Sequence, residues 1–309
     1  MKIGIIGGTG FVGSYLLDRL AADGHSMRVL TRPGSEGKLP PLTGVEAVTG
    51  DVADESALRE CLTGCDAAVY LIGILREVPS RGITFDALQR RGAERTVAVA
   101  EAQGVKRFLL MSANGVDEAK TPYQTTKLAA EEALKASSLD WTIFRPSVIF
   151  GPPQGRMEFC TQLKQELIDS PMPAPLFYGG VLPKDPGGFL LAPVHAEDVA
   201  AAFATALTSP EAVGRTYELC GPAAVSWKQI LTTIARASGK KKLMLPAPVL
   251  VVGSVASVLG RFEWFPVTRD QLTMLLSGNT CTEDGLAALG IAPMPFTEGN
   301  LAYLTAPSA

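Results

Sequence analysis

The sequence predicts an α/β fold: a doubly wound parallel sheet with helices on both faces, and a smaller C-terminal domain. Three observations carry this. Short apolar runs alternate with amphipathic stretches through the first half of the 309-residue chain, the pattern of strands joined by helical crossovers. The run Ala67–Ile72 is apolar throughout, as a strand covered on both faces should be. The first strand is followed at once by a glycine loop, Gly7-Gly8-Thr9-Gly10-Phe11-Val12-Gly13, that opens the first helix.

Taken in order, Ile3–Ile6 is the first strand, and a helix runs from about Val12 to Ala22. Between them Gly7, Gly10 and Gly13 space as G-x-x-G-x-x-G. A pyrophosphate needs close backbone approach, which a Cβ blocks, and free N–H groups at the positive end of a helix. A tight turn without a ligand is the plainer reading, but placement between first strand and first helix favours a dinucleotide. Met27–Thr31 and Val45–Thr49 are further strands, followed by a helix over Glu55–Leu62, the strand Ala67–Ile72, and a long helix over Ile83–Gln103 closed by Gly104. Arg107–Met111 is a strand, Pro122–Ala136 a helix, and Trp141–Phe144 a strand.

After Gly151-Pro152-Pro153 the alternation stops. A helix is expected over Met157–Ile168, then a Pro/Gly-crowded loop over Ser170–Gly188, read as a lid or a long connection. Phe189–Val194 reads as a strand, and Ala196–Thr208, Trp227–Ser238, Val249–Leu259 and Arg269–Leu276 as helices. The expected division is a dinucleotide-binding domain over 1–150 with 189–222, and a substrate-binding region over 151–188 with 223–309.

Net charge is −3 without a long basic run, which argues against nucleic acid as the main partner. Cys61, Cys65, Cys160, Cys220 and Cys281 are odd in number and scattered; no metal-ligand spacing emerges, and buried or incidental thiols in a reducing cytosol are expected. The apolar start is too short for a signal peptide. Leu243–Gly260 is uncharged and flanked by Lys240-Lys241-Lys242 and Arg261, but Pro246 and Pro248 interrupt it. The remainder falls short of the about 20 residues a bilayer span needs. A core or dimer-forming helix is favoured over a membrane-surface anchor, although Phe262, Trp264 and Phe265 keep a peripheral contact through 249–265 open. His25 and His195 read as structural.

The second strand ends Val29-Leu30-Thr31-Arg32, without the carboxylate that bonds an NAD ribose. Thr31 and Arg32 stand there instead, and a guanidinium fork suits a 2′-phosphate. NADP(H) is therefore expected over NAD(H). Asp51, before Val52, either accepts from the adenine amino group or caps the next helix. Tyr123 and Lys127 lie at i and i+4 on one helix face. A nearby ammonium lowers a phenol's pKa, so the pair can exchange a proton with a substrate oxygen. Ser112 ends the preceding strand, where its hydroxyl can orient a carbonyl or make a turn bond.

The motifs GGTGFVG, GDVAD, Ser112, YQTTKLAAEEAL, WTIFRPSVIFGP and PVHAEDVAAAF give the chain a resemblance to the short-chain dehydrogenase/reductase superfamily, in its extended and atypical branches. Within it the chain most resembles the nucleotide-binding accessory subunits of respiratory complex I and their free-standing bacterial relatives. NmrA-like regulators and isoflavone-reductase-like enzymes are more distant. The resemblance implies a Rossmann domain with a smaller substrate domain. It implies that Thr9 to Val12 hold the pyrophosphate, that Asp51 and Val52 flank the adenine, and that Ile72 and Gly73 follow the ribose. Lys127 also bonds the ribose, and Pro146 to Val148 lie beside the nicotinamide. Extended members carry an Asn three residues before the glycine that matches Gly92; here Gln89 stands there.

Two readings follow. One is an NADP(H)-dependent oxidoreductase or epimerase-like enzyme acting on a small carbonyl or hydroxyl substrate, with Tyr123 as acid–base group, Lys127 as activator and ribose ligand, and Ser112 as orienter. The other is a protein that holds NADPH as a structural or sensing ligand and works through a partner such as a respiratory complex or its assembly machinery. The expected location is cytoplasmic, with a peripheral contact to the inner membrane as the variant. The residues name neither the substrate nor the oligomeric state.

Overall fold

Seven parallel strands form the central sheet of the computed structural model, which describes residues 1–180, 182–249 and 269–305. In chain order the first six are β1 (Lys2–Ile6), β2 (Ser26–Thr31), β3 (Val45–Thr49), β4 (Ala67–Tyr70), β5 (Arg107–Met111) and β6 (Asp140–Pro146). Their spatial order is β3-β2-β1-β4-β5-β6, and Arg215–Leu219 adds the seventh strand beside β6. The direction of winding reverses between β1 and β4, so a crevice opens at their carboxyl ends. Ile3 to Ile6 of β1 and all of β4 are buried, as a sheet covered on both faces requires.

The helices of this unit start where local chemistry says they should. Thr121 and Gln124 make a reciprocal capping box at the start of α4 (Pro122–Lys135), with Pro122 at the first position. Asp54 caps α2 (Glu55–Leu62) by accepting from the Ser56 and Ala57 amides. The long helix expected over 83–103 is different. It begins as a π-helical turn over Asp86–Arg91 before α3 (Gly92–Ala102). The cause is Tyr70. Its buried hydroxyl donates to the Leu88 carbonyl, and the Gly92 amide takes Ala87 O instead. The ladder slips by one residue where a side chain enters it. Only glycine fits at 92, because a Cβ there would lie 2.5 Å from the Tyr70 hydroxyl.

The chain divides into two compact units. The first comprises Met1–Pro146, Ala196–Leu219 and Thr282–Ala292; the second comprises Ser147–His195, Cys220–Cys281 and the segment from Pro293. The stretches 147–150, 189–195 and 220–222, read from sequence as part of the dinucleotide-binding domain, thus fall in the second unit, and 282–292 returns to the first. Ala287 N–H donates to Asp284 at the start of the short helix Gly285–Ala288, which packs on the seventh strand. Glu218 in that strand accepts from the Thr282 and Glu283 amides.

The second unit corrects two expectations. Ser170–Gly188 is not loop throughout: Ala174–Tyr178 is a strand, paired in parallel with Met244–Pro248. Prolines hid both strands, yet a two-stranded ribbon has open edges where a missing N–H is tolerated. Phe189–Val194 is not one strand but two. Leu190–Leu191 pairs with Val225–Ser226, and Val194–His195 pairs with Ile149–Phe150. The core of this unit gathers Phe150, Leu176, Phe177, Leu191, Trp227 and Ile230. Trp227 stacks with Phe177 and Phe189 and donates its indole N–H to the Pro175 carbonyl at 2.9 Å.

The expectation of five thiols is also overturned: Cys220 and Cys281 form a disulfide, while Cys61, Cys65 and Cys160 are free and buried. The fold brings the pair together although they lie far apart in sequence. The expected helix over 249–259 and the aromatic cluster at 262–265 lie outside the described residues, apart from Val249. Among the described residues no helix is long and apolar enough to cross a membrane, and no cluster of three metal-ligating side chains occurs.

Candidate cofactor and catalytic site

The glycine loop turns from β1 into α1 (Phe11–Ala22) around Gly7, whose φ of +91° is left-handed. The Gly10 amide donates to Gly7 O at 3.0 Å. A Cβ on Gly13 would lie 2.4 Å from the Gly8 carbonyl oxygen, and one on Gly8 2.7 Å from Val29 Cγ1. Every added atom would thus fill the cradle or push the helix off the sheet. Gly10 occupies the N-cap position of α1 and supplies no side-chain cap, and the first turn holds no acidic residue. The start of α1 is a positive helix end open to an anion.

The corner at the end of β2 is built differently from expectation in one respect. Thr31 is fully buried and its hydroxyl donates to Val48 O at 3.3 Å, so its side chain belongs to the sheet and not to a ribose contact. Arg32 follows it and is exposed. Sequence reasoning missed Glu36 on the same connection, which accepts from Thr49 Oγ1 at 3.2 Å; a backbone hydrogen bond from its own amide and the Thr49 hydroxyl hold its carboxyl below the usual range. Asp51 does not cap α2. It accepts the Ala53 amide at 2.9 Å, and Asp54 is the cap. Val52 is buried against the α3 side, and its carbonyl accepts from Arg95 at 3.0 Å.

Lys127 is 2 % exposed and donates to two backbone carbonyls, Ile72 O at 3.0 Å and Met111 O at 2.8 Å. It thereby ties the ends of β4 and β5 together. An ammonium has three donors, so one remains beyond these two carbonyls. Gly73 lies against the ammonium; a Cβ there would be 3.4 Å from Nζ. Burial lowers the Lys127 pKa to about 8, and the charge of Glu131 opposes the shift. Ser112, next along from Met111, is buried, and its hydroxyl has no hydrogen-bond partner. An orphaned buried hydroxyl is uncommon, and here it marks a place that a ligand oxygen would satisfy.

Tyr123 stands one turn before Lys127 with its ring edge-on to Phe85, centroids 5.8 Å apart. Burial pushes its phenol up to about 12. The depression expected from a neighbouring ammonium is therefore not present in this structure, where Lys127 turns to the two carbonyls. Gln89 is buried in the π-helical turn. It donates to Ile74 O at 2.8 Å and accepts from the Thr126 hydroxyl at 3.1 Å. Gln89 and Lys127 thus grip the two ends of Ile72–Ile74.

Sequence reasoning also missed the support beneath the lysine. Glu131, one turn further along α4, is fully buried and takes a two-pronged ion pair from Arg145 at 2.8 and 2.7 Å. Arg145 also donates to Asp117 at 2.7 Å. Asp117 sits on the connection from Ser112 to Tyr123, so this trio fixes that connection to the helix. The spacing Lys127–Glu131 was the available signal, since i and i+4 share a face. Pro146 ends β6, and its carbonyl accepts the Asn114 amide at 3.0 Å. Val148 belongs to the second unit, where it packs on that core and its carbonyl accepts the Val194 amide at 3.0 Å. His195 packs edge-on to Phe150, as a structural residue does.

The loop that a Cβ would fill, the open helix start and the orphaned Ser112 hydroxyl fit a dinucleotide with a reacting group above β5. Comparison with known proteins supports the nicotinamide dinucleotide. The family described as NAD(P)H-binding matches residues 7–170. The mitochondrial 40 kDa subunit of NADH-ubiquinone oxidoreductase of Neurospora crassa is 24% identical over 85% of this chain and 67% of its own. A ceramide reductase of Caulobacter vibrioides is 29% identical over 82% of this chain and 76% of its own. The UDP-glucose 4-epimerase of Thermus thermophilus, solved with NAD, superposes with a TM-score of 0.75 at 20% identity, covering 99% of this chain and 98% of that one, which shows a shared fold.

Proposed function

The chain belongs to the NAD(P)H-binding family, and from that premise we propose that it is an NADP(H)-dependent oxidoreductase acting on a carbonyl or hydroxyl substrate. The observation that carries the proposal is the buried Ser112 hydroxyl without a partner, beside a lysine anchored between β4 and β5. When bound, the nicotinamide supplies hydride transfer. Gly7, Gly10 and Gly13 would admit the pyrophosphate, with Thr9, Phe11 and Val12 supplying backbone around it. Asp51 and Val52 would flank the adenine, Ile72 and Gly73 the ribose, and Pro146 and Val148 the nicotinamide. Arg32 would pair with a 2′-phosphate.

In this reading Ser112 donates to the substrate oxygen and holds it in place. Tyr123 gives that oxygen a proton on reduction. A phenol near 12 remains protonated through neutral pH and is ready as an acid. It is a poor base in the reverse direction until a cation approaches it. The third Lys127 donor would bond the ribose. The Caulobacter relative named a ceramide reductase supports a reductase role.

The second reading is a protein that retains NADPH and acts through a partner, with 249–265 as the contact to a protein or membrane surface. The raised phenol and the relative in a respiratory enzyme favour it. The affinity and release rate of NADPH beside NADH, followed by nicotinamide fluorescence, separate the two. Preferential NADPH binding with release within about a second supports turnover. NADPH kept through purification and lost over many minutes supports the partner-bound role. Equal affinity for both dinucleotides removes the NADP assignment.

A further inference from the structure

We infer that Cys220 and Cys281 form a reversible dithiol–disulfide site whose redox state governs how firmly the stretch after Pro146 is held. The inference rests on the reading that this stretch flanks the nicotinamide. Cys220 follows the last residue of the seventh strand, and Cys281 precedes Thr282, where the chain re-enters the first unit. Their Cα atoms lie 5.9 Å apart across a sequence separation of 61. Both are half-buried and so retain some contact with solvent, whereas Cys61, Cys65 and Cys160 are buried.

What the bond holds is specific. Beside Cys220, the Gly221 amide donates to Ala192 O at 3.1 Å. Two residues before Cys281, the Asn279 carbonyl accepts the Ala192 amide at 2.9 Å, and the Asn279 amide donates to Leu190 O at 2.9 Å. The disulfide therefore joins two arms that grip Ala192 through its carbonyl and its amide. The fit is close: a Cβ on Gly221 would lie 2.0 Å from Pro193 O. The same Asn279 carbonyl accepts the Ser147 hydroxyl at 3.0 Å. Val194, two residues past Ala192, donates to Val148 O and pairs with Ile149. Ser147 and Val148 are thus tied, through Asn279 and Val194, to the residues that the disulfide clamps.

The reaction is ordinary thiol–disulfide exchange with a dithiol reductant. A reductant thiolate attacks one sulfur, a mixed disulfide forms, and the other cysteine leaves as a thiolate and takes a proton. The second reductant thiol then releases the remaining cysteine. The net change is one Cys–Cys disulfide and one dithiol converted to two cysteine thiols and one reductant disulfide. Afterwards only the intervening chain joins the two arms, and closing that loop costs entropy again.

The test uses the whole protein, native, before and after dithiothreitol. Maleimide mass labelling counts the thiols, hydrogen exchange reads residues 147–150 and 190–195, and fluorescence titration reads the NADPH Kd. Reduction should expose two further thiols, speed exchange in both segments, and weaken NADPH binding by about fivefold or more, all reversed on reoxidation. The double variant Cys220→Ser, Cys281→Ser should stay at the reduced-state affinity with or without dithiothreitol. Failure of the bond to reduce in the native protein, or unchanged exchange after reduction, overturns the inference. Loss of NADPH binding in both states would defeat the cofactor reading alone, because exchange still decides whether the disulfide holds 147–150.

Discussion

Replacing Lys127 by methionine separates what the lysine does for the fold from what it does for the cofactor. Two effects oppose each other. The buried ammonium has a pKa lowered from the ordinary 10.5 to about 8, which corresponds to a cost of about 3 kcal/mol for keeping it charged at pH 7. Lys127→Met removes that cost. It also strips the donor from Ile72 O and Met111 O, at about 1–3 kcal/mol for each orphaned carbonyl. The terms nearly cancel, with a net loss of at most about 3 kcal/mol and a Tm drop below about 10 °C. The charge-assisted bond proposed to the cofactor has no such offset, so on that proposal NADPH affinity should fall by about 10- to 150-fold. The pH dependence carries the sign. Because the folded pKa lies below the unfolded one, the penalty is full below pH 8 and fades as pH rises towards 10.5. The native protein should therefore gain stability relative to the variant across that window. Thermal melts at pH 7, 8.5 and 10, with fluorescence titration at pH 7, test this. A collapse of the variant at pH 7, a stability difference that stays flat with pH, or unchanged NADPH affinity would refute the reasoning.

Four further outcomes are expected. Arg32→Ala should weaken NADPH by about tenfold or more, as loss of a charged hydrogen bond does, and leave NADH almost unchanged; equal losses in calorimetric titrations would end its role as the 2′-phosphate ligand. Tyr123→Phe should keep the NADPH affinity within about twofold and abolish turnover on any substrate found in a carbonyl screen, and surviving turnover would remove Tyr123 from the chemistry. Gly13→Ala places a carbon 2.4 Å from Gly8 O, so the start of α1 must move by about 1 Å and cofactor affinity should drop about 100-fold, measured by the same titration. Arg145→Met takes both of its contacts from the buried Glu131 and leaves that carboxylate only the exposed Lys135 ammonium at 3.3 Å, so it should cost up to about 3–5 kcal/mol in urea unfolding; a loss below about 1 kcal/mol would show that the pair adds little.

Much of the fold was legible because the signals are local. The glycine loop, the apolar Ala67–Ile72 run and the helix that opens at Pro122 each announce their own structure within a few residues. Spacing singled out Tyr123 and Lys127, and the end of a strand singled out Ser112, but the partners of these residues could not be read the same way. Lys127 bonds backbone carbonyls, which carry no mark in a sequence. Thr31 occupies the expected corner yet points into the sheet, because alternation along β2 turns it towards Val48. The π-helical turn depends on one hydroxyl from another strand, and the pairing of Ala174–Tyr178 with Met244–Pro248 on a distant partner. The disulfide depends on where the chain leaves and re-enters a domain, which only the completed topology reveals.

That interrupted path has a consequence for biosynthesis. The first unit draws on three separated pieces of chain, and the last of them, Thr282–Ala292, is made only after the intervening Cys220–Cys281 segment of the second unit. Until then, the Glu218 carboxylate has no Thr282 or Glu283 amide to accept from, and the seventh strand lacks the short helix that covers it. The nascent sheet must therefore wait with an unfinished margin, and its contacts span a long sequence separation that slows folding. Chains released before residue 282 should be chaperone clients rather than shortened working proteins.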